Sequence, residues 1–393
     1  MKVLHILYQS LPNTSGSSIR SRDILHSQLK IGLKPIVITS PFQNSFSNNI
    51  DFEKIDGISY YRTFSNSKEK VSENKSSLLL QIKKLFRIVD FTIQVYRVAK
   101  KEEVDIIHAH AMFFCAIAGK ISSLLLQKPI IYEVRSLWEE RYKKNSFANF
   151  LIFTLITLIE TFCMFFANHI VVINKNLKNE LQRRFLIKNK EITIIGNAVD
   201  LSRVIYSNLE RDKIIFAYIG TLSPIEGLDL LITAFNNLKD KIENKLLIFG
   251  DGIIIKDLKN MAKGNSSIEF KGKVSSHEIY KAYEQVDVII NPRKKSYLTN
   301  SVTPLKTLEA MAYKKLVLAS DVGGMKELID NGKNGILFKS DSIDEIEKII
   351  LNTIKKQDIN KTIENAYRFI LEHRNWIKNA KNYNSLYEKL ING

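Results

Sequence analysis

Lys306 and Glu309 stand three residues apart in the stretch Thr303-Pro-Leu-Lys-Thr-Leu-Glu-Ala-Met-Ala312, which follows the run Val286-Asp-Val-Ile-Ile-Asn-Pro292, Arg293 and a polar loop. That spacing puts both side chains on one face of a helix. Pro304, near the start of this helix, leaves backbone N–H groups free at a terminus whose partial positive charge suits phosphate. A lysine for phosphate beside a carboxylate for sugar hydroxyls is what a nucleotide-sugar pocket needs; a plain surface ion pair is the bland reading of the same two residues. A second place is Asp105-Ile-Ile-His-Ala-His110, where His108 and His110 fall on one face of a strand. Imidazoles there could move a proton or simply be buried structural groups, and the residues alone leave both open.

Short β-rich runs alternate with longer helical patterns along nearly the whole chain, the mark of βαβ units building a parallel sheet. One series of strands is expected at Lys2–Tyr8, Pro35–Ser40, Ile58–Thr63, Asp105–His110, Pro129–Val134 and His169–Asn174. A second is expected at Ile214–Gly220, Lys245–Gly250, Ile268–Gly272, Val286–Pro292 and Leu316–Ser320. Two doubly wound domains follow, with a boundary near Asp200–Asp212 and binding residues just after strands, where loops and helix N-termini converge on a central cleft. The Asn-, Ser- and Lys-dense segments Phe42–Ile50 and Phe64–Ser77 read as loops.

At 393 residues the chain is too long for one ordinary core, and 45% hydrophobic with 25% charged residues excludes global disorder. Cys115 and Cys163 lie in apolar runs, which excludes a disulfide scaffold or Cys-rich zinc site and leaves core filling in a reducing cytoplasm. The first eight residues are too short an apolar run for a signal peptide. Phe147–Ala167 is the longest apolar stretch, interrupted by Asn149 and Glu160, and reads as a buried or membrane-lying helix rather than a span. A net charge of +17 calls for an anionic partner. Basic residues mixed with apolar ones over Leu78–Lys101, joined by Arg141, Lys143, Lys144, Arg183 and Arg184, suit an anionic membrane surface; no nucleic-acid signature accompanies the charge.

The ordered set Asn197-Ala-Val-Asp200, Tyr218-Ile-Gly-Thr-Leu-Ser-Pro-Ile-Glu-Gly-Leu-Asp229, Phe249-Gly-Asp-Gly252, Phe270-Lys-Gly-Lys-Val-Ser-Ser-His277, the 303–312 block and Leu318-Ala-Ser-Asp-Val-Gly-Gly-Met-Lys-Glu327 resembles the family 4 retaining glycosyltransferases over about the whole chain. The resemblance implies an α/β GT-B fold: an N-terminal Rossmann-like acceptor domain (1–200), a C-terminal Rossmann-like donor domain (201–374), and a helix at 375–393 returning to the first. It implies a catalytic set of His110, Lys306 and Glu309. It places the donor against Gly16, Asn197, Gly220, Thr221, Gly250, Arg293, Thr303, Leu305, Lys306 and Glu309, with Gly16 in a loop spanning Pro12–Arg20. The segment Tyr132-Glu-Val-Arg-Ser-Leu-Trp-Glu139 looks like a subset of the family linked to bacterial envelope and exopolysaccharide assembly.

The chain departs from the family's pattern where phosphate is held. Thr221 and Glu226 occupy the places of an Arg and a Lys that grip the diphosphate, and Ser301 stands where the first of two paired glutamates belongs. Each such cation is worth about 4 kcal/mol at an effective dielectric near 20 and about 4 Å. Lys306, Arg293 and either Arg135 or Arg20 are the candidates to replace them, with Glu226 contacting a sugar hydroxyl or an arginine. The expected activity is transfer of a sugar from a UDP- or GDP-sugar co-substrate to a lipid-linked or oligosaccharide acceptor at the inner face of the cell membrane. No Asp-x-Asp pair is present, so neither metal nor cofactor is expected. A nucleotide-sugar epimerase and a catalytically silent protein of the same architecture are the rivals.

Overall fold

The structure, a computed structural model, describes residues 1–12, 15–43, 51–63, 78–142, 146–204, 211–275, 278–355 and 359–393, with only the backbone at 78–85 and 141. Most of the two stretches expected as loops, together with Lys143, Lys144 and His277, lies outside the described residues. The chain forms two compact units, Met1–Gly196 with Trp376–Gly393, and Asn197–Asn375. The division falls before the polar Asp200–Asp212 stretch. Asn197 Nδ2 donates to the Thr303 carbonyl at 2.7 Å and the Val199 amide to the Arg374 carbonyl at 2.9 Å, which ties residues 197–204 to the second unit.

The first unit is built on β1 (Lys2–Leu7), β2 (Lys34–Thr39), β3 (Phe52–Ile55), β4 (Ile58–Arg62), β5 (Ile106–His110), β6 (Ile130–Val134), β7 (His169–Val172) and β8 (Ile192–Ile194). They pair in the order β3-β4-β2-β1-β5-β6-β7-β8, parallel throughout except for the β3–β4 hairpin. Their near-continuous Val and Ile runs suit strands covered on both faces by helices. These are α1 (Gly16–Lys30), α2 (Leu78–Lys101), α3 (Phe113–Leu126), α4 (Phe147–Phe166) and α5 (Lys175–Gln182). Residues 16–20 of the stretch 12–20, expected as a loop, start α1 instead: the Ser15 side chain accepts the Ser18 amide as an N-cap and Gly16 opens the helix. A β-carbon on Gly16 would meet nothing within 4 Å.

The second unit contains β9 (Ile215–Ile219), β10 (Lys245–Phe249), β11 (Ile268–Gly272), β12 (Val288–Asn291), β13 (Leu316–Ser320) and β14 (Ile336–Phe338). All pair in parallel in the order β11-β10-β9-β12-β13-β14. The order reverses between β9 and β12, and that is where a doubly wound sheet opens a crevice at its carboxyl edge. Alternate residues fill two cores: Ala217 and Ile219 with Met311 and Met325 on one face, Phe216 and Tyr218 with Leu231 and Phe235 on the other. Covering helices are α6 (Leu228–Leu238), α7 (Ile255–Met261), α8 (Ile279–Glu284), α9 (Tyr297–Ser301), α10 (Leu305–Ala312), α11 (Gly323–Lys326), α12 (Ile343–Lys355) and α13 (Asn360–His373). The chain then re-enters the first unit as α14 (Trp376–Asn392), which packs on α1.

At the crevice two backbones touch. Gly250, with φ of +143°, lies so close to Gly220 that a β-carbon on it would sit 1.8 Å from the Gly220 carbonyl oxygen. Only glycine fits there without moving the β9 turn. Gly250→Ala should therefore destabilise the second unit by roughly 1–3 kcal/mol, the cost of one strained backbone position. Urea denaturation checks this, and a midpoint equal to the parent's would contradict the close approach.

Candidate active site

Glu226 ends a short turn, Pro224–Glu226, that Gly227 closes with φ of +72°. The turn places the carboxylate over the carboxyl ends of β9 and β12. Lys306, in the first turn of α10, bonds to this carboxylate, and its Nζ also lies 2.8 Å from Tyr218 Oη and 4.3 Å from the Tyr218 ring centroid. Arg293, just after β12, brings its Nε to 3.6 Å from the same Glu226 oxygen, and that buried N–H makes no hydrogen bond. The three side chains are 12%, 15% and 7% exposed for Glu226, Lys306 and Arg293. Burial lowers the Lys306 ammonium to about 8, with Arg293 adding to the shift and Glu226 opposing it. Burial alone would raise Glu226, yet Lys306 and Arg293 together hold it below the usual carboxylate range. Chemically this is a preorganised pair of cations beside a helix N-terminus, held in reserve by an internal anion.

The expected donor residues of the second unit gather at the same edge, whereas Gly16 belongs to the first unit. Gly220, Thr221 and Gly250 follow β9 and β10, and Asn197 donates to the carbonyl of buried Thr303, two residues before Leu305 opens α10. Glu309 lies one turn beyond Lys306, where its charge adds to burial in raising the hydroxyls of Tyr283 and Tyr313.

His110, Arg20 and Arg135 belong to a different construction, inside the first unit. Glu133 on β6 is fully buried and accepts from Arg20 Nε at 3.1 Å, Arg135 Nε at 2.8 Å and the Tyr383 hydroxyl of α14. Arg135 donates a second time to His110 Nδ1 at 2.7 Å. Because arginine is only a donor, His110 carries its proton on Nε2 and gives it to His5 Nδ1 at 2.8 Å. His5 Nε2–H then donates to Gln28 Oε1, Gln28 Nε2 to Tyr387 Oη, and Tyr387 to His108 Nδ1, at 2.8, 2.9 and 2.8 Å. His108 Nε2–H faces Glu133 Oε2 at 3.5 Å without a hydrogen bond, so the two ends of this chain of bonds meet electrostatically. The direction of every bond is fixed by one guanidinium.

Three histidines in this chain of bonds are neutral. Burial lowers all of them, His5 to about 3, with the neighbouring His108 and Arg135 adding to the shift at His5 and His110. Glu133 is held far below the usual carboxylate range: burial opposes ionisation, and Arg20 and Arg135 more than offset it. Arg20 and Arg135, expected within reach of phosphate, are instead buried and committed to Glu133, with Arg20 also bonding the Ile195 carbonyl and Arg135 bonding Ser17 and Ser21. Both ring nitrogens of His110 are engaged. Among the described residues His5, His108 and His110 are the one group with metal-ligand spacing, their ligand atoms within 4.8 Å of one another. A cation there would have to break the Arg135–His110 bond and sit beside a guanidinium, so the donor set fits a proton-ordered scaffold better than a metal.

Sequence reasoning did not find Tyr218, His5, Gln28, Glu133, Tyr383 or Tyr387. The register of β1 against β5 pairs His5 with His108, so a polar residue facing His108 across adjacent strands was the available signal.

The fold is GT-B, that of a two-domain sugar-transferring enzyme. Residues 23–203 match the family described as Glycosyltransferase Family 4 and residues 206–382 the one described as Glycosyl transferases group 1, and the chain belongs to the family 4 glycosyltransferases. A glycosyltransferase of Methanocaldococcus jannaschii is 28% identical over 78% of this chain and 83% of its own. A capsular polysaccharide biosynthesis glycosyltransferase of Staphylococcus aureus is 25% identical over 66% and 70%. The UDP-Gal:alpha-D-GlcNAc-diphosphoundecaprenol alpha-1,3-galactosyltransferase of Escherichia coli is 22% identical over 76% and 79%. Among solved structures, a sucrose-phosphate synthase from Thermosynechococcus elongatus superposes with a TM-score of 0.79 at 16% identity, covering 100% of this chain and 99% of its own. An Anabaena protein in complex with UDP gives 0.71 at 16% identity, over 99% and 100%.

The neutral histidines make a measurable demand. Their folded pKa values lie below the unfolded value of 6.5, so the unfolded chain takes up protons the folded one does not, and stability falls as pH drops below 6.5. Glu160, raised by burial to about 7, acts oppositely, gaining stability over the same descent toward its unfolded value of 4.5. Each histidine contributes up to about 1.4 kcal/mol per pH unit. Urea denaturation should show a lower stability at pH 5.5 than at 7.5, and Glu160→Gln should steepen the loss. A flat profile would contradict the neutral histidines.

Proposed function

We propose that this glycosyltransferase moves a sugar, with retention of anomeric configuration, from a nucleotide-sugar donor, a UDP- or GDP-sugar, to a lipid-linked or glycan acceptor in bacterial surface polysaccharide synthesis, working in the cytoplasm at the inner membrane face. The observation that carries the reading is the convergence of Lys306 and Arg293 on one carboxylate at the β9–β12 crevice. Those two cations stand in for the Arg and Lys absent at Thr221 and Glu226. A donor diphosphate displaces Glu226 from them, and the charge that gathers on the leaving diphosphate as the sugar takes on oxocarbenium character falls on Lys306, Arg293 and the N-terminus of α10. Glu309 and the backbone at Gly220, Thr221 and Gly250 hold the nucleoside and sugar hydroxyls. His110 orients Arg135 rather than exchanging a proton with substrate. The named activities of the capsular and undecaprenol-linked relatives support the acceptor class.

The first test is nucleotide release from UDP-, GDP- and dTDP-sugars, with and without bacterial lipid extract, in EDTA. Lipid-dependent release in EDTA supports the transferase, strict metal dependence overturns the mechanism, and conversion of donor without acceptor points to an epimerase. If no donor is bound, Glu226 has silenced the site. Lys306→Ala should lower turnover roughly 10²-fold, the effect of removing one preorganised charge. Because the free protein's Lys306 loses its proton near pH 8, kcat/KM should fall above about pH 8. Lys306→Arg should remove that basic limb, since a guanidinium stays charged; a limb that persists in this variant would rule out Lys306 as its source.

A further inference from the structure

We propose that the first unit docks on an anionic lipid bilayer by immersing the N-terminal half of α4, which lies in the interface without spanning it. Among the described residues α4 is the one helix long and apolar enough to cross a membrane, with a mean hydropathy of 1.9, yet only 17% of that stretch is buried. Its buried residues, Glu160, Thr161 and Met164, lie in its last turns, and side-chain bonds tie that end to the unit. Tyr132 donates to Glu160 at 2.6 Å, Arg184 to Thr161 at 3.2 Å, and Cys163 Sγ approaches the Phe113 carbonyl at 3.7 Å. These contacts hold Glu160 in the protein, so the helix is not free to thread a bilayer.

Along one side the preceding residues are uncovered. Phe147, Phe150, Leu151, Leu155 and Leu158 are 77%, 61%, 52%, 58% and 51% exposed. At about 100° per residue, the exposed positions between 147 and 155 sweep roughly 200° of the helix circumference. A second protein would cover one flat face; a sweep this wide calls for a medium that wraps around the exposed side of the helix. Phe185, 94% exposed, adds an anchor beside Arg184.

Charge selects the kind of bilayer. The first unit holds 31 Lys and Arg against 17 Asp and Glu, a net +14 of the chain's +17. Lys190 lies over the Phe165 ring at 5.3 Å, and Arg183, next to Phe185, is 77% exposed. Apolar residues with basic neighbours are the pattern of an interfacial element on acidic lipid. Because a helix that follows a parallel strand runs back along it, the immersed half of α4 stands at the carboxyl end of β6. Lipid-linked acceptor would thus arrive at the end of the unit where the loops after β1, β5 and β6 meet. That last step rests on the transferase reading; the docking itself does not.

The test is flotation of the full chain with vesicles of phosphatidylcholine alone or mixed with phosphatidylglycerol. Binding is expected only with phosphatidylglycerol and should weaken as salt rises. The variant Phe150→Ser/Leu151→Ser/Leu155→Ser, changed only at exposed positions, should bind roughly tenfold or more weakly while keeping the parent's far-UV circular dichroism and its affinity for UDP or GDP. Equal flotation of parent and variant would overturn the proposal. So would a parent dimer in solution that the variant splits, which makes a second copy the occupant, or resistance to alkaline carbonate, which makes α4 a span. Lys306→Ala should float like the parent but turn over poorly, so failure of the transferase reading is seen separately.

Discussion

A carboxylate with no access to water must be surrounded by donors or it destabilises the fold by several kcal/mol. Glu133 sets that requirement for the first unit. Arg20 answers it from α1, Arg135 from the turn after β6 and Tyr383 from α14. Elements far apart in sequence are thus held to one pair of oxygens. The spare donors of Arg135 then set the hydrogen-bond direction through His110, His5, Gln28 and Tyr387. Losing any member would leave its neighbours with buried, unmatched polar atoms.

The second unit repeats the theme with a different outcome. Glu226 also neutralises two cations, but at the crevice edge rather than within the core, and Arg293 retains an unmatched N–H. A fully enclosed pairing is permanent structure. One that stands at a sheet's switch point, beside a helix N-terminus, can exchange its anion for another.

The sheet frameworks were legible because Val- and Ile-rich runs with helical patterns between them have few other solutions, and every strand expected from such a run is present. β3, β8 and β14 were not, because these three- and four-residue pieces lack the longer apolar run around them that made β7 and β12 legible. In the site, Lys306 and Arg293 could be read from their places after a strand and at a helix start. An arginine was one of two partners expected for Glu226, and Arg293 is there; its bond to Lys306 was not legible, since the approach of Glu226 depends on the Gly227 turn. Arg20 and Arg135 misled for the opposite reason: a cation after a strand looks the same in sequence whether it faces a ligand or a buried glutamate 113 residues away, as Arg20 does. Residues 16–20, expected in a loop, are helical because Ser15 is a good N-cap, a local signal that Gly16 masks in the sequence.

The bond between Tyr383 and Glu133 joins residues 250 positions apart, with the whole second unit between them. A ribosome therefore delivers Glu133, Arg20 and the three histidines long before the helix that completes their surroundings. The second unit, continuous in sequence, can close while the first is still waiting. Synthesis order and folding order are inverted, and the half of the molecule made earliest is the one that needs protection from aggregation for longest.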